Sequence, residues 1–258
     1  MKEYALLGYP LSHSFSRAFF NEKFEREGIS AKYINLELPD IRQLLQALDE
    51  HPQLQGLNVT IPYKQQVIPY LDELSDEAQA IGAVNVIRVR YDANGHRHLK
   101  GFNSDIIGFM NSIRPLLQPH HKSALVLGTG GASKAICHGL ERLGVEWRYV
   151  SRTPQQVLSA TETGSDAPLS YSDVTPALLN NYHVIVNCSP VGMYPHQDEC
   201  PTLPYAALSP RHLLYDLVYN PEETLFMRQG KRFGATVKNG LEMLHLQALA
   251  SWEFWNAE

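Results

Sequence analysis

The chain has 258 residues, of which 44% are hydrophobic and 19% charged, and its formal net charge is −5. This composition is typical of a globular protein, and the negative balance without a run of lysines and arginines argues against nucleic acid as a partner. No apolar stretch approaches the roughly 20 residues that span a bilayer, so no membrane partner is expected. The three cysteines are odd in number, lack Cys-x-x-Cys spacing and follow no secretory pattern, which predicts a soluble protein of the reducing cytoplasm.

The first half of the chain alternates short apolar segments with amphipathic ones, a pattern that favours an α/β fold. In chain order the segments are 4–7, 17–27, 33–38, 41–49, 57–61, 65–74 and 83–89. The Asn94-Gly95 pair between residues 86–90 and 98–102 predicts a β-hairpin, and hence a mixed sheet. Pro62 is well placed to begin a helix, which would put Lys64 in its first turn, where a cation opposes the helix dipole.

The chain divides after a helical stretch at 106–117, in the segment Gln118-Pro-His-His-Lys122. We predict an N-terminal mixed-sheet domain over residues 1–105, a Rossmann-like dinucleotide-binding domain over 106–239, and a C-terminal helix over 240–258 that returns to the first domain. The adjacent His120 and His121 are interpreted as a solvated linker pair, because the histidines offer no metal-ligand spacing and no metal is expected.

A glycine-rich turn follows the apolar run that begins at Ser123: residues 126–135 read Val-Leu-Gly-Thr-Gly-Gly-Ala-Ser-Lys-Ala. Gly128 would allow the tight turn, Gly130 would let the backbone approach a pyrophosphate, and the helix opening near Gly131 would face the anion with its N–H groups. Ser133 replaces the third glycine of the usual pattern, and such a turn also occurs for purely structural reasons. A dinucleotide-dependent redox enzyme is the leading interpretation.

The next apolar run, at 146–150, ends in Ser151-Arg152-Thr153, where an NAD-selective site usually carries an acidic residue. Arg152 can instead grip a 2′-phosphate and stack on adenine, and Ser151 and Thr153 add hydroxyl donors. The segment therefore predicts NADP rather than NAD. The alternative is that Arg152 is an ordinary solvated surface arginine.

Hydroxyl, amide and charged side chains follow the apolar segments of the first half, at the end of a sheet where ligands of α/β proteins bind. They lie in Gly8-Tyr-Pro-Leu-Ser-His-Ser-Phe-Ser16, in Asn58 to Lys64, at Asn85, and in Asn103-Ser-Asp105. Such a set suits a poly-hydroxylated ligand, although any one of the serines could simply cap a helix. Local geometry does not show whether Lys64 and Asp105 meet.

Together these motifs resemble the shikimate dehydrogenase family over nearly the whole chain. The matching stretches are Ser12 to Ser16, Asn58-Val-Thr60 with Lys64, Gly82-Ala-Val-Asn85, Asn103-Ser-Asp105, Gly128 to Ala132, Ser151-Arg-Thr153, Asn187 to Met193, Tyr215-Asp216, and Asn239-Gly240 through Gln247. Several distant motifs in the right order are far more specific than one glycine loop.

The resemblance implies reversible, NADPH-dependent reduction of 3-dehydroshikimate to shikimate, a step of chorismate and aromatic amino-acid biosynthesis. It implies that Lys64 donates a proton to the carbonyl oxygen and that Asp105 pairs with Lys64 and with a substrate hydroxyl. The implied substrate-binding residues are Ser14, Ser16, Asn58, Thr60, Asn85, Tyr215 and Gln247. The implied cofactor-binding residues are Gly128, Thr129, Gly130, Gly131, Ala132, Ser151, Arg152, Thr153, Met193 and Gly240.

Some positions depart from the family pattern: Arg17, Phe20, Ser104 and Ser151 stand where proline, histidine, threonine and asparagine are common. Gln156 replaces a second basic residue, which lowers the expected preference for NADP over NAD. A quinate or dual quinate/shikimate dehydrogenase is an alternative. A non-catalytic sensor of nucleotide and metabolite is another, which intact Lys64 and Asp105 oppose. We expect a monomer or homodimer that binds small molecules.

Overall fold

The structure is a computed structural model that describes residues 1–11, 15–155 and 167–257. Packing divides the chain into two compact units, the first formed by Met1–Ser104 and Gln247–Glu258 and the second by Asp105–Leu246. These limits put Asp105 in the second unit, whereas the sequence assigned it to the first domain. In the described part of the chain, every helix is too short or too polar to cross a membrane.

The first unit contains a six-stranded mixed sheet, as the sequence predicted. Its strands are β1 (Lys2–Gly8), β2 (Ala31–Glu37), β3 (Leu54–Val59), β4 (Glu73–Leu74), β5 (Val86–Tyr91) and β6 (Arg97–Phe102), in the spatial order β2-β1-β3-β5-β6-β4. Strand β1 is parallel to β2 and β3, while β5 is antiparallel to β3 and β6. The predicted β5–β6 hairpin is confirmed, and Gly95 in its turn has a φ of 80°, which favours glycine.

Helices pack on this sheet through apolar faces. They are α1 (Phe15–Arg26), α2 (Leu44–Glu50), α3 (Asp76–Ile81) and the part of the long C-terminal helix that belongs to this unit. On α1, Phe20 and Phe24 lie four residues apart on one face and join a buried aromatic cluster with Trp255. Gly56 of β3 is required there, because a Cβ atom would collide with the Trp255 indole ring. The C-terminal helix is thus part of the core of the first unit.

The segment after β3 differs from the prediction. No α-helix begins at Pro62; the only helical turn between Thr60 and Leu71 is a 3₁₀ helix at Ile68–Tyr70. The Lys64 carbonyl accepts the backbone N–H of Val84 at 2.7 Å, so it is bonded to a neighbouring segment instead of to its own helix. Tertiary packing of this segment overrides the local helix signal, and Lys64 is not opposed by a helix dipole.

The second unit has a five-stranded, wholly parallel sheet of Rossmann-like type. Its strands are β7 (Ser123–Leu127), β8 (Glu146–Val150), β9 (Val184–Asn187), β10 (Leu213–Asp216) and β11 (Thr236–Lys238), in the order β11-β10-β9-β7-β8. Its helices are α4 (Asp105–Ile113), α5 (Gly131–Arg142), α6 (Pro176–Leu179), α7 (Leu225–Arg232) and the start of α8 (Leu241–Asn256). Strands β7, β9 and β10 are almost entirely buried and apolar, as expected where helices cover both faces.

The histidines before β7 are not a solvated pair, which corrects the sequence interpretation. His121 is buried; its Nδ1 accepts the backbone N–H of Gln118 at 2.9 Å, and its Nε2 lies 3.0 Å from the carbonyl oxygen of Arg211. Its ring contacts His120, which in turn contacts His183, and His183 contacts His212. These four histidines precede β7, β9 and β10, so they form a cluster at the amino-terminal edge of the parallel sheet.

Candidate functional site

The first unit gathers its polar side chains at one edge of the mixed sheet. Val86 of β5 pairs with Asn58 near the end of β3 and with Phe102 at the end of β6. Antiparallel pairing therefore brings the end of β3, the start of β5 and the end of β6 together. Polar residues that are distant in sequence become neighbours at this edge.

Two asparagines and a serine at this edge are bonded directly. Asn58 Nδ2 donates to the carbonyl oxygen of Asn85 at 3.4 Å. Asn85 Nδ2 donates to Ser104 Oγ at 3.0 Å, and Asn85 Oδ1 accepts the backbone N–H of Ser104 at 2.7 Å. All three residues are buried. Their amide and hydroxyl groups are thus satisfied mainly by one another, as buried polar groups require.

The C-terminal helix completes this arrangement. Ser251 Oγ accepts from Asn58 Nδ2 at 2.9 Å and donates to the carbonyl oxygen of Gln247 at 2.8 Å. Ser104 Oγ donates to Gln247 Oε1 at 3.2 Å and lies 3.1 Å from Ser251 Oγ. Gln247 and Ser251 are four residues apart, so α8 presents both on one face.

On the other side of Asn58, the hydrogen bonds continue through Tyr33 to Ser16 on α1. The hydroxyl of Tyr33, on β2, donates to Asn58 Oδ1 at 2.8 Å and is also bonded to the side chain of Ser16. Four of the predicted substrate-binding residues are thereby linked through three that were not predicted. We call the seven the buried polar network: Ser16, Tyr33, Asn58, Asn85, Ser104, Gln247 and Ser251.

The other predicted residues of the first half are placed separately. Thr60 follows β3 directly and is half-buried, with its backbone N–H bonded to Leu7 O at 2.8 Å. Lys64 is half-buried in the segment after it. Asp105 is a buried first residue of α4 in the second unit. Ser14 lies outside the described residues.

In the second unit, the predicted strand, glycine turn and helix are confirmed. Gly128 has a φ of 96°, and a Cβ atom there would lie 3.3 Å from Ser189, so both the turn and the close packing need glycine. A Cβ atom at Gly130 would meet open space. Gly130 precedes α5 without a side-chain cap, which leaves the first helical N–H groups to an anion. The turn, with Thr129 and Ala132, fits a dinucleotide pyrophosphate.

The segment after β8 has the exposure that a phosphate grip needs. Ser151 is buried and its hydroxyl accepts the backbone N–H of Thr153 at 3.1 Å. Arg152 and Thr153 are exposed. The sequence therefore predicted the position of Arg152 at the end of a sheet strand correctly, while Gln156 lies outside the described residues.

A buried carboxylate at the end of β10 holds the loops at the carboxyl-terminal ends of the parallel strands. Asp216 has no exposed surface and accepts from Asn187 Nδ2 at 2.9 Å, the Val218 backbone N–H at 3.1 Å and Thr224 Oγ1 at 2.6 Å. Asn187 Oδ1 accepts from the Ser189 hydroxyl at 2.6 Å. Burial raises the pKa of Asp216 to about 6, although its hydrogen bonds oppose the shift.

Tyr215 has a core environment. It has no exposed surface, its hydroxyl lies 2.6 Å from Ser112 Oγ, and its ring packs edge-on against Phe109. Burial raises the pKa of the Tyr215 hydroxyl. The bond to Ser112 and the contact with Phe109 therefore hold the Tyr215 ring in one position at the end of β10. The nearby Tyr219, on the loop after β10, is 40% exposed.

The two remaining cofactor candidates differ. Met193 is exposed on the loop that follows β9. Gly240 is buried, and a Cβ atom there would collide with the Leu217 carbonyl, so close packing of two backbones already accounts for this glycine. Among the described residues, no cluster of three or more histidine, cysteine or acidic side chains could hold a metal ion.

Several residues of these sites were missed from sequence. Ser251 carried a usable signal, since it follows Gln247 by one helical turn on a face that also turns inward. The sequence carries no signal for Tyr33, because a tyrosine in a strand most often belongs to the hydrophobic core. Asp216 was seen only as part of a matching stretch.

A mixed-sheet unit with a buried polar edge and a parallel-sheet unit with a dinucleotide turn define the class of two-unit nicotinamide-dependent oxidoreductases. Residues 6–87 match the family model described as the shikimate dehydrogenase substrate binding domain. A shikimate dehydrogenase (NADP+) of Desulforamulus reducens is 34% identical, covering 97% of this chain and 88% of its own length.

Solved structures agree. The chorismate mutase/shikimate 5-dehydrogenase fusion protein of Clostridium acetobutylicum is 35% identical with a TM-score of 0.84, covering 99% of this chain and 91% of the other. Shikimate 5-dehydrogenase of Thermus thermophilus, in complex with NADP(H) and shikimate, is 31% identical with a TM-score of 0.84, covering 100% and 94%. The chain belongs to the shikimate dehydrogenase family.

Proposed function

We propose that this protein is a shikimate dehydrogenase that reversibly reduces 3-dehydroshikimate to shikimate with NADPH. The observation that carries the proposal is the buried polar network, which joins Ser16, Asn58, Asn85 and Gln247 in the first unit. A ring with several hydroxyls needs several fixed donors and acceptors, and such a network supplies them. The family relationship supports the same reaction and the same cofactor.

The cofactor fits the second unit. Its pyrophosphate would lie on the turn from Gly128 to Ala132, and its 2′-phosphate would be held by Arg152 with Ser151 and Thr153. Met193 and Gly240 would complete the site, with Gly240 acting through its backbone. When bound, NADPH supplies the hydride that adds to the ketone carbon.

Lys64 carries the proton transfer in this proposal. As hydride adds to the carbon, negative charge develops on the carbonyl oxygen, and the Lys64 ammonium donates a hydrogen bond and then a proton to it. The ketone becomes a secondary alcohol and Lys64 becomes a neutral amine, which regains its proton from solvent. In the reverse direction the amine accepts the hydroxyl proton. Asp105 acts with Lys64 by orienting a substrate hydroxyl.

Substrate recognition falls mainly to the first unit. Ser14 and Ser16 would bind the carboxylate as hydroxyl donors, and Asn58, Thr60, Asn85 and Gln247, with Tyr215 of the second unit, would bind the rest of the substrate. We also propose that the protein is cytoplasmic and is a monomer or homodimer. Size-exclusion chromatography with light scattering tests the oligomeric state.

Steady-state kinetics test the proposal directly. Shikimate and quinate are each assayed with NADP+ and with NAD+, and the absorbance of the reduced nicotinamide reports turnover. We expect the highest kcat/KM for shikimate with NADP+. A higher value for quinate would make the protein a quinate dehydrogenase. Tight binding of shikimate and NADP+ without turnover would contradict an enzyme and support the sensor.

A further inference from the structure

Tyr33 combines a core position with a polar role. Its side chain is only 2% exposed, and its ring stacks on Phe20 with centroids 4.9 Å apart and an interplanar angle of 12°. The hydroxyl does not face the apolar cluster. It contacts two proposed substrate-binding side chains, those of Ser16 and Asn58. An apolar ring would serve the packing equally well, so the hydroxyl needs another explanation.

The hydrogen bonds run in one direction. Tyr33 donates its single hydroxyl hydrogen to Asn58 Oδ1 at 2.8 Å, so the Tyr33 oxygen can act only as an acceptor on the side of Ser16. Asn58 then directs Nδ2 to the Asn85 carbonyl and to Ser251 Oγ. Since Ser251 donates to the Gln247 carbonyl, its oxygen is the acceptor for Asn58.

This order fixes the amide of Asn58. A rotated amide would place two N–H hydrogens against the Tyr33 O–H and an oxygen against the Asn85 carbonyl, which are both unfavourable pairings. The bond to the Asn85 carbonyl is long at 3.4 Å, whereas the bond from Tyr33 is 2.8 Å. Tyr33 is therefore the stronger restraint on which side of Asn58 is acceptor and which is donor.

We propose that Tyr33 is a positioning residue, which sets the orientation of Asn58 and Ser16 and thereby the order of donors and acceptors that meets the substrate; this inference rests on the proposed function. Tyr33 itself does not contact the substrate. Burial raises the pKa of the Tyr33 hydroxyl well above 10, so it remains a donor wherever the enzyme works.

The test compares Tyr33→Phe with Tyr4→Phe. Tyr4 lies on the adjacent strand, is equally buried at 2%, and its ring also packs against Trp255. Both changes remove one hydroxyl from one aromatic cluster. We expect Tyr33→Phe to raise KM for shikimate by about 5- to 30-fold, the effect of losing one buried hydrogen bond, with kcat and KM for NADP+ nearly unchanged. Tyr4→Phe should leave all three parameters near those of the unmodified protein.

A double-mutant cycle separates positioning from a general packing effect. If Tyr33 acts through Asn58, the variant with both Tyr33→Phe and Asn58→Ala should bind shikimate no worse than Asn58→Ala alone. Ser251→Ala removes the acceptor on the other side of Asn58 and should also raise KM for shikimate. This variant replaces Tyr33→Phe in the test if Tyr33→Phe does not fold.

The outcomes are distinct. If the unmodified protein turns over shikimate and Tyr33→Phe behaves like Tyr4→Phe, or if the effects in the cycle add fully, the inference is wrong while the proposed function stands. If the unmodified protein does not turn over shikimate, the proposed function fails and the inference fails with it.

Discussion

The two units prepare their ligand sites by different physical means. In the first, side chains from β2, β3, α1 and α8 bond to one another in the buried polar network. In the second, backbone at the Gly128 turn would face the cofactor, and the nearby loops are held by hydrogen bonds to one carboxylate, that of Asp216. A site made of backbone needs only local sequence, whereas a site made of bonded side chains needs the whole tertiary structure. Variants of the two units should accordingly change different kinetic parameters.

The largest expected effect is that of Lys64→Ala in the first unit. Loss of the proton donor should lower kcat by about 10²- to 10⁴-fold, with a smaller change in KM for shikimate and none in NADP+ binding. Stopped-flow or steady-state kinetics, with fluorescence titration of NADPH, measure these quantities. Lys32→Ala is the control, because Lys32 is an exposed lysine paired with Glu3. Near-normal kcat with weak substrate binding would make Lys64 a binding residue only.

Arg152→Ala should change only the cofactor parameters of the second unit. We expect KM for NADP+ to rise by about 10- to 100-fold while KM for NAD+ changes little, because NAD+ has no 2′-phosphate. Arg148→Ala is the control, because Arg148 lies on β8, the strand that precedes Arg152. Equal losses for both cofactors would contradict the role of Arg152, and a rise in KM for shikimate would break the division between the units.

Asp216→Asn tests whether the buried carboxylate stabilises the loops of the second unit. Folding raises the pKa of this carboxyl from 3.8 to about 6, so its contribution to stability is fully present below about pH 4 and is lost as pH rises through about 6. Between pH 4 and 7, the free energy of unfolding of the unmodified protein should therefore fall by about 2–3 kcal/mol relative to the variant. Urea unfolding across this pH range measures the free energy of unfolding. Asp49→Asn is the control, because Asp49 is an exposed aspartate paired with Arg97. Parallel curves would contradict the raised pKa.

The histidine cluster, at the opposite edge of the same sheet, should show the opposite sign and the smallest effect. Burial lowers the pKa of His121, so its contribution to stability is present above its unfolded value of 6.5 and is lost as pH falls. His121→Asn keeps an acceptor for Gln118 but cannot be protonated, and should flatten the loss of stability on acidification. Urea unfolding from pH 7.5 to 5 compares it with His196→Asn, an exposed histidine of the same unit. An unchanged slope would mean that His121 is not involved.

The same contrast explains what the sequence could predict. The glycine turn, the position of Arg152, the hairpin at Gly95 and the C-terminal helix were all predicted correctly, because each depends on residues adjacent in the chain. The segment after Pro62 was predicted wrongly, since its backbone bonds to Val84 rather than within a helix.

Local sequence patterns also did not predict which polar residues are buried. His121 was taken for a solvated residue, yet it is buried and its ring lies against the carbonyl of Arg211, which is distant in sequence. The predicted substrate side chains, by contrast, were chosen through family resemblance. Their mutual bonds through Tyr33, Ser104 and Ser251 could be found only in three dimensions.

Helix α8 has a consequence for how the chain is made. Its residues from Gln247 onward belong to the first unit, and Trp255 fills the space above Gly56 and accepts a hydrogen bond at its carbonyl from Arg90. During synthesis the ribosome completes the whole second unit before it releases these residues. The aromatic cluster around Phe20 and Tyr33 must therefore remain incomplete until Trp255 has been synthesised, so the unit that begins earlier in the sequence reaches its final packing only after the whole second unit has been made.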